Sequence, residues 1–440
     1  MSADALPFAE APASSADALT AAVERIDAEQ VAAREQWSHG FTRRKFLAGA
    51  GMVAAAALGS QLVTTRYAYA VPGTGSRRAL VVVFLRGGFD GLAAVVPSGD
   101  PAYAAARPDI GVPDRLLLPL DRGFGLHPAL SPLHRYWQAK QLAVVHAVGG
   151  PNISRSHFQA QDQVERGVDA GDARTGWLER ALATAGPGTT FRATAEGISV
   201  PQSLAGAAGA ISLRGVDSVA LYRRSERVIA ALERLYTGLD LLAAEQVPVA
   251  LRLLAEATDL QAQAYTPGAV YPAGNFAAAM SDVARLITSG TGLRVATVDV
   301  GGWDLHTNAG AVDAGDMTDQ LTDLGQTLAA FAEDLGPTLR DVTVVTMSEF
   351  GRRVAQNGSG GTDHGHGNAM LVLGGRVAGG RMFGRWPGLA ESALVEGDLA
   401  GINDYRDVLY ELAQGHLGVG PVDSVFPGLS HSPLGLMRVG

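Results

Sequence analysis

The chain has 440 residues, 47% of them hydrophobic and 18% charged, with 55 glycines and no cysteine. That balance excludes a disordered chain, and the missing cysteines exclude disulfides, thiolate-bound metal clusters and thiol catalysis. A formal charge of −9 argues against binding nucleic acid through its phosphates, so no nucleic-acid partner is expected.

Residues 1–40 are polar and Ala-rich, with no strand or turn pattern. Thr42-Arg43-Arg44-Lys45-Phe46-Leu47 follows, then a weakly apolar, Gly/Ala-rich run from Ala48 to Val63, then Ala68-Tyr69-Ala70. Paired arginines, a modest apolar core and an A-x-A site are the features of a twin-arginine export signal over residues 1–70. The apolar run is barely long enough for a membrane anchor and poor in Leu and Ile, so cleavage is expected, leaving no stable membrane span. The expected partner on this route is the twin-arginine translocase, and the expected location is the periplasm, cell envelope or exterior. That translocase carries folded proteins, which often have taken up a cofactor or metal beforehand.

Arg78–Leu85 is the first continuous apolar, β-branched run, stopped by Gly87-Gly88. Similar runs occupy Gln141–Val148, Leu293–Val300, Asp341–Met347 and Ala369–Leu373. Unbroken apolarity marks strands buried on both faces, as in a parallel sheet. Helical spacing marks Trp177–Thr184, Asn275–Thr288, Met317–Leu335 and Asp404–Leu417. Together these predict an α/β fold: a largely parallel central sheet with helices on both faces. The Leu/Ala/Glu/Arg-rich stretch from about 216 to 264 reads as a helical insertion, and Pro421–Gly440 as an irregular wrap.

Ligands of such sheets sit beyond the carboxyl ends of the strands, and the polar residues gather there. The first strand is followed by Arg86-Gly87-Gly88-Phe89-Asp90, the second by Ser154-Arg155-Ser156-His157 and helix-compatible sequence. Gly301-Gly302-Trp303-Asp304-Leu305-His306 follows the third; Ser348-Glu349-Phe350-Gly351-Arg352-Arg353 follows the fourth, and then Asp363-His364-Gly365-His366. Carboxylates with imidazoles suit a divalent cation such as Zn, Mn or Mg, or Ca where oxygens dominate. Arg86, Arg155, Arg352 and Arg353 in the same loops suit an anionic oxyester. Each residue also has a local reading. Asp90 fits a turn, Ser156 a helix N-cap, and Asp304 with His306 a loop hydrogen bond. His127 either lines the site or satisfies a loop carbonyl, and His39, His134, His146, His416 and His431 read as structural or exposed.

The Arg-Gly-Gly-Phe-Asp-Gly-Leu turn, Ser-Arg-Ser-His-Phe-Gln-Ala-Gln, Gly-Gly-Trp-Asp-Leu-His, Ser-Glu-Phe-Gly-Arg and Gly-Thr-Asp-His-Gly resemble domain-of-unknown-function family 1501. The resemblance runs from about Arg78 to the C-terminus and points to the alkaline phosphatase/sulfatase-like superfamily, with residues 71–440 as one such domain. It implies a metal-bound serine nucleophile at a helix N-terminus. Ser156 is the better candidate, because it opens the predicted helix, and Ser154 is the reserve. Asp90, that serine, Asp363 and His364 would surround one metal; Asp304 and His306 with a further histidine, His366 being nearby, would surround the other. The superfamily's D-x-x-x-H spacing is D-x-H here.

The function expected on these grounds is hydrolysis of a phosphate or sulfate ester, or a related anionic small molecule or polymer, through a metal-activated serine. Arg155 or a second cation would steady the leaving group, and His157 or His306 would move protons. The alternative is a non-catalytic envelope protein that binds a glycan, anionic polymer or partner protein on the same scaffold. A dinucleotide enzyme is disfavoured, since the chain has neither G-x-G-x-x-G after its first strand nor a Walker motif.

Overall fold

The computed structural model describes residues 78–151, 154–168, 173–186, 188–206, 209–219 and 242–438. Residues 1–70, where the sequence predicts an export signal, and the middle of the predicted helical insertion lie outside the described residues. The chain divides into two compact units, and the account below concerns the one that holds residues 78–219 and 251–438.

Its centre is a nine-stranded sheet. The strands are β1 (Ala79–Leu85), β2 (Leu142–Gly149), β3 (Ala193–Glu196), β4 (Ile211–Leu213), β5 (Val295–Val300), β6 (Val342–Met347), β7 (Asn368–Gly374), β8 (Arg381–Phe383) and β9 (Asn403–Asp404). Their spatial order is β8-β2-β7-β6-β1-β5-β3-β4, with β9 also on β2. Every ladder is parallel except the two made by β7.

The apolar strand runs are continuous because both faces of the sheet are covered. Along β1, Ala79, Val81, Val83 and Leu85 enter one core, and Leu80, Val82 and Phe84 the other. The first core is closed by Leu133 and Trp137 of the helix Ser131–Gln138, Met280 and Val283 of Asn275–Thr288, and Leu324 and Phe331 of Asp316–Leu335. The second is closed by Trp177 and Leu178 of Trp177–Thr184 and by Val408 and Leu412 of Tyr405–Leu417. Each such side chain contributes about 1.5–3 kcal/mol on burial. No described helix is long and apolar enough to cross a membrane.

Register decides what meets at the site edge. Leu85 of β1 lies opposite Val300 of β5, and Phe84 opposite Met347 of β6, so three chain segments leave the sheet side by side. Because β7 is antiparallel, it begins where β2 ends, with Asn368 opposite Val148. The loop that precedes β7 therefore stays at the same edge as the ends of the parallel strands.

Near the other end of the sheet, β3 finishes on Glu196, whose carboxylate accepts from the Gly215 N–H (3.1 Å), while Asp282 accepts from Val216 N. Burial, with the Asp282 charge beside it, pushes the Glu196 carboxyl up to about 9, and burial raises Asp282 too. A carboxyl raised in the fold keeps its proton while the unfolded chain loses it. Stability is therefore fully present below the ordinary carboxylate value and declines as pH rises towards 9. A glutamine in its place would stay neutral, still accept from Gly215 and donate to Asp282. Glu196→Gln is thus expected to flatten the pH dependence of the melting temperature and to stabilise at pH 8 by roughly 1–3 kcal/mol. Thermal unfolding across pH 5–9 checks this, and parallel wild-type and variant curves would refute it.

Candidate metal centre

The loops at this edge approach closely because glycine permits it. Gly87 has φ +120°, and a Cβ there would lie 2.6 Å from Asp304 N; one on Gly88 would strike the Phe350 ring. Trp303, buried edge-on against Phe89 (4.9 Å between centroids), anchors the loop that carries Asp304 and His306. Thr362 N donates to Leu305 O and Arg353 N to Asp363 O, so the loop bearing Asp363 and His364 is laid along both neighbours.

Arg352 ties these loops together. Its guanidinium is wholly buried and donates to the backbone carbonyls of Gly87, Gly88 (2.6 Å), Trp303 (3.0 Å) and Thr362 (2.8 Å), and to Asp304 Oδ1 (2.6 Å). Burial opposes ionisation of Asp304, but the hydrogen bond from Arg352, with the Arg352 and His306 charges, brings its carboxyl down to about 2.

Around Asp304 stand three imidazoles. His364 Nε2 lies 3.0 Å from Oδ1 and His306 Nε2 3.1 Å; His157 Nε2 lies 3.4 Å from Oδ2. The His306 and His364 Nε2 atoms are 2.9 Å apart, and His306 Nδ1 is 3.1 Å from Asp363 Oδ1. Asn357 Nδ2 and His306 hold the Asp363 carboxyl below its ordinary range.

Second contacts fix the rings. His364 Nδ1 faces the Arg155 carbonyl (2.9 Å) and His157 Nδ1 the Glu349 carboxylate (2.8 Å). Both partners only accept, so in the neutral rings Nδ1 carries the proton and Nε2 presents a lone pair. Two lone pairs and a carboxylate thus face one another, with ligand atoms of His157, Asp304 and His364 within 4.8 Å. His157 Nε2 is buried and, among the described residues, has no hydrogen-bond partner. Acceptors so arranged repel unless a proton or cation lies among them, and two nitrogens with one carboxylate match a zinc-type donor set with positions left open.

Ser156 sits at the N-cap of the helix His157–Arg166, yet its side chain makes no capping hydrogen bond and is exposed. Ser154 instead serves the turn: its Oγ accepts from Ser156 N (3.2 Å) and lies 3.1 Å from Gln159 Oε1.

Three sequence expectations are corrected by these contacts. Asp90 is outside the cluster. Its Oδ1 caps the helix Gly91–Ala94 through Leu92 N and Ala93 N (both 3.1 Å), and its Oδ2 pairs with buried Arg107 (2.8 Å). His366 is not presented as a ligand either, because backbone occupies both nitrogens: Gly401 N donates to Nδ1 and Nε2 meets Gly150 O (3.1 Å). The arginines are not free to clamp an anion. Arg155 binds Asp398 (2.7 Å) and Glu396, Arg353 binds Asp398, Arg86 binds Glu165 and Asp299, and Arg352 binds Asp304. His127 caps a short turn through Ala129 N, and His146, His416 and His431 bond Val95 O, Thr343 and Asp407.

Glu349 was not singled out in the sequence. Its carboxylate, wholly buried, accepts from Gly87 N (2.9 Å) and Gln161 Nε2 (2.9 Å) besides His157, and Ser348 Oγ lies 2.9 Å from its other oxygen. Burial alone would raise its pKa, but these donors keep it below the ordinary glutamate range.

Residues 128–399 match the family described as Protein of unknown function (DUF1501), and the chain belongs to this family. No curated protein matches. Among solved structures the chain is similar to the PsFucS1 sulfatase from Pseudoalteromonas sp., at 14% identity over 82% of this chain and 73% of that one, with a TM-score of 0.34. It is also similar to Ps i-CgsB in complex with k-i-k-neocarrahexaose (12%, 78% and 72%, 0.32) and to the phosphonate monoester hydrolase of Agrobacterium radiobacter (13%, 82% and 78%, 0.32).

Proposed function

We propose that this chain is an exported, metal-dependent hydrolase of a phosphate or sulfate ester or a related anionic substrate. The observation that carries the reading is the set of inward-facing donors on His157, Asp304 and His364. A divalent cation bound there would hold an ester oxygen and lower the pKa of a nearby hydroxyl. With the loop arginines paired to carboxylates, that cation and the amides of the His157–Arg166 N-terminus are the charge complement for an oxyanion. Ser156 Oγ attacks phosphorus or sulfur and loses its proton to solvent. His306, the most exposed of the three imidazoles and held against Asp363, gives a proton to the departing ester oxygen, and water then cleaves the ester formed on Ser156. The paired arginines at 43–44 and the Ala68-Tyr69-Ala70 site support export through the twin-arginine translocase.

The test is metal analysis of the exported, purified protein, followed by assays with aryl phosphate, phosphonate and sulfate esters under Zn, Mn, Mg and Ca. Bound metal together with turnover of one ester class is expected. A protein that takes up none of the four ions and cleaves none of the esters overturns the proposal; uptake without cleavage would point to the non-catalytic binding scaffold.

A further inference from the structure

Glu349 lies two residues beyond the end of β6, and its side chain is completely shielded from solvent. Among the described residues its hydrogen-bond partners are the Gly87 amide, the Gln161 carboxamide, the Ser348 hydroxyl and His157. No arginine or lysine is among them. An anion buried this way is costly even when hydrogen-bonded, and a glutamine of nearly equal volume would meet the backbone amide as well. The Gly87 amide, the Gln161 carboxamide and His157 Nδ1 all converge on one oxygen, Oε1, and what the carboxylate adds over a carboxamide is the negative charge that makes that oxygen the stronger acceptor. Only an acceptor facing Nδ1 compels the His157 proton to sit there.

The other end of the ring shows the consequence. His157 Nε2 is buried and without a hydrogen-bond partner among the described residues, 3.4 Å from Asp304 Oδ2, and the His157 and His364 rings lie edge to face at 4.4 Å. The contact is also part of the scaffold. The same oxygen holds Gly87, whose loop touches Asp304, and Gln161 on the helix that His157 begins.

We infer that Glu349 is a positioning residue that locks His157 into the Nδ1–H tautomer and so makes Nε2 a metal-donor atom. The inference rests on the reading of His157, Asp304 and His364 as a cation site. In Glu349→Gln the amide oxygen still meets the Gly87 and Gln161 N–H groups, but without the negative charge it holds the Nδ1 proton less firmly, so the ring populates the Nε2–H form, which blocks the donor.

The experiment has two readouts, neither of which needs activity. Nitrogen-15 NMR of the metal-free, full-length protein reports the His157 tautomer: Nδ1–H is expected in the wild type, and Nε2–H or a mixture in Glu349→Gln. Chelator competition with Zn, Mn, Mg and Ca in turn measures affinity, which is expected to fall 10- to 100-fold in the variant for the ion that binds. An Nε2–H tautomer in the wild type overturns the inference even if the variant does not fold. So does unchanged affinity in a folded Glu349→Gln protein. If the wild type binds no ion while His157 shows the Nδ1–H form, the positioning role stands and the metal reading falls.

Discussion

Replacing Asp304 with asparagine is expected to lower metal affinity at least 100-fold, and ester cleavage with it, while the protein still folds. Three imidazole nitrogens lie within 3.4 Å of its two oxygens. Asparagine keeps one oxygen, loses the charge, and turns an NH2 towards a ring nitrogen that is itself a donor atom. A 100-fold loss corresponds to about 2.8 kcal/mol of binding free energy. The cost to the fold is smaller. Arg352 loses its carboxylate but keeps carbonyl bonds to Gly87, Gly88, Trp303 and Thr362, and the Asp304 side chain is about half exposed, so water screens the pair. Calorimetric titration and thermal unfolding of the same samples separate the two effects. A variant that binds metal as the wild type does, and merely melts earlier, would reduce Asp304 to a partner for Arg352.

The strands were legible in the sequence where burial on both faces left an unbroken apolar run, as in Val81-Val82-Val83 and Val342–Met347. β3 and β4 were not. Four and three residues long, they carry too little pattern to stand out from a loop. The direction of β7 was equally hidden, because a buried run reads the same whichever way it points, although that direction is what keeps His364 at the site edge. Within the site, composition at the strand ends exposed Asp304, His306, Asp363 and His364, but it could not say which way a side chain turns. His366 stands two residues from His364 and is enclosed by Gly149 and Gly401, whose absent side chains leave room for its ring. Glu349 had one available signal, an acid two residues past the apolar strand end, where burial demands donors. Its meaning required knowing that His157, almost 200 residues earlier in the chain, is its partner.

The contact that removes Asp90 from the metal centre gives the largest expected effect on stability. Asp90 and Arg107 pair at 2.8 Å, with their side chains 3% and 0% exposed. Arg107 also donates through Nε to Val354 O and through Nη2 to Arg353 O, both at 2.9 Å. Arg107→Met would leave Asp90 Oδ2 without a counter-charge and the buried Val354 and part-buried Arg353 carbonyls without this donor, a loss of about 3–5 kcal/mol. Asp90→Asn would keep the cap to Leu92 and Ala93, yet set an NH2 against the Arg107 guanidinium, so it too should destabilise. Combining them removes both charges together, and the double variant is expected to lose clearly less than the sum of the singles. Urea unfolding of the four proteins measures that coupling. Metal affinity then decides the role of Asp90. If it works through the cap and the ion pair, Asp90→Asn binds metal within about threefold of the wild type under conditions where both are folded. A 100-fold loss there would return Asp90 to the ligand set and require its carboxylate to leave Arg107 when metal binds.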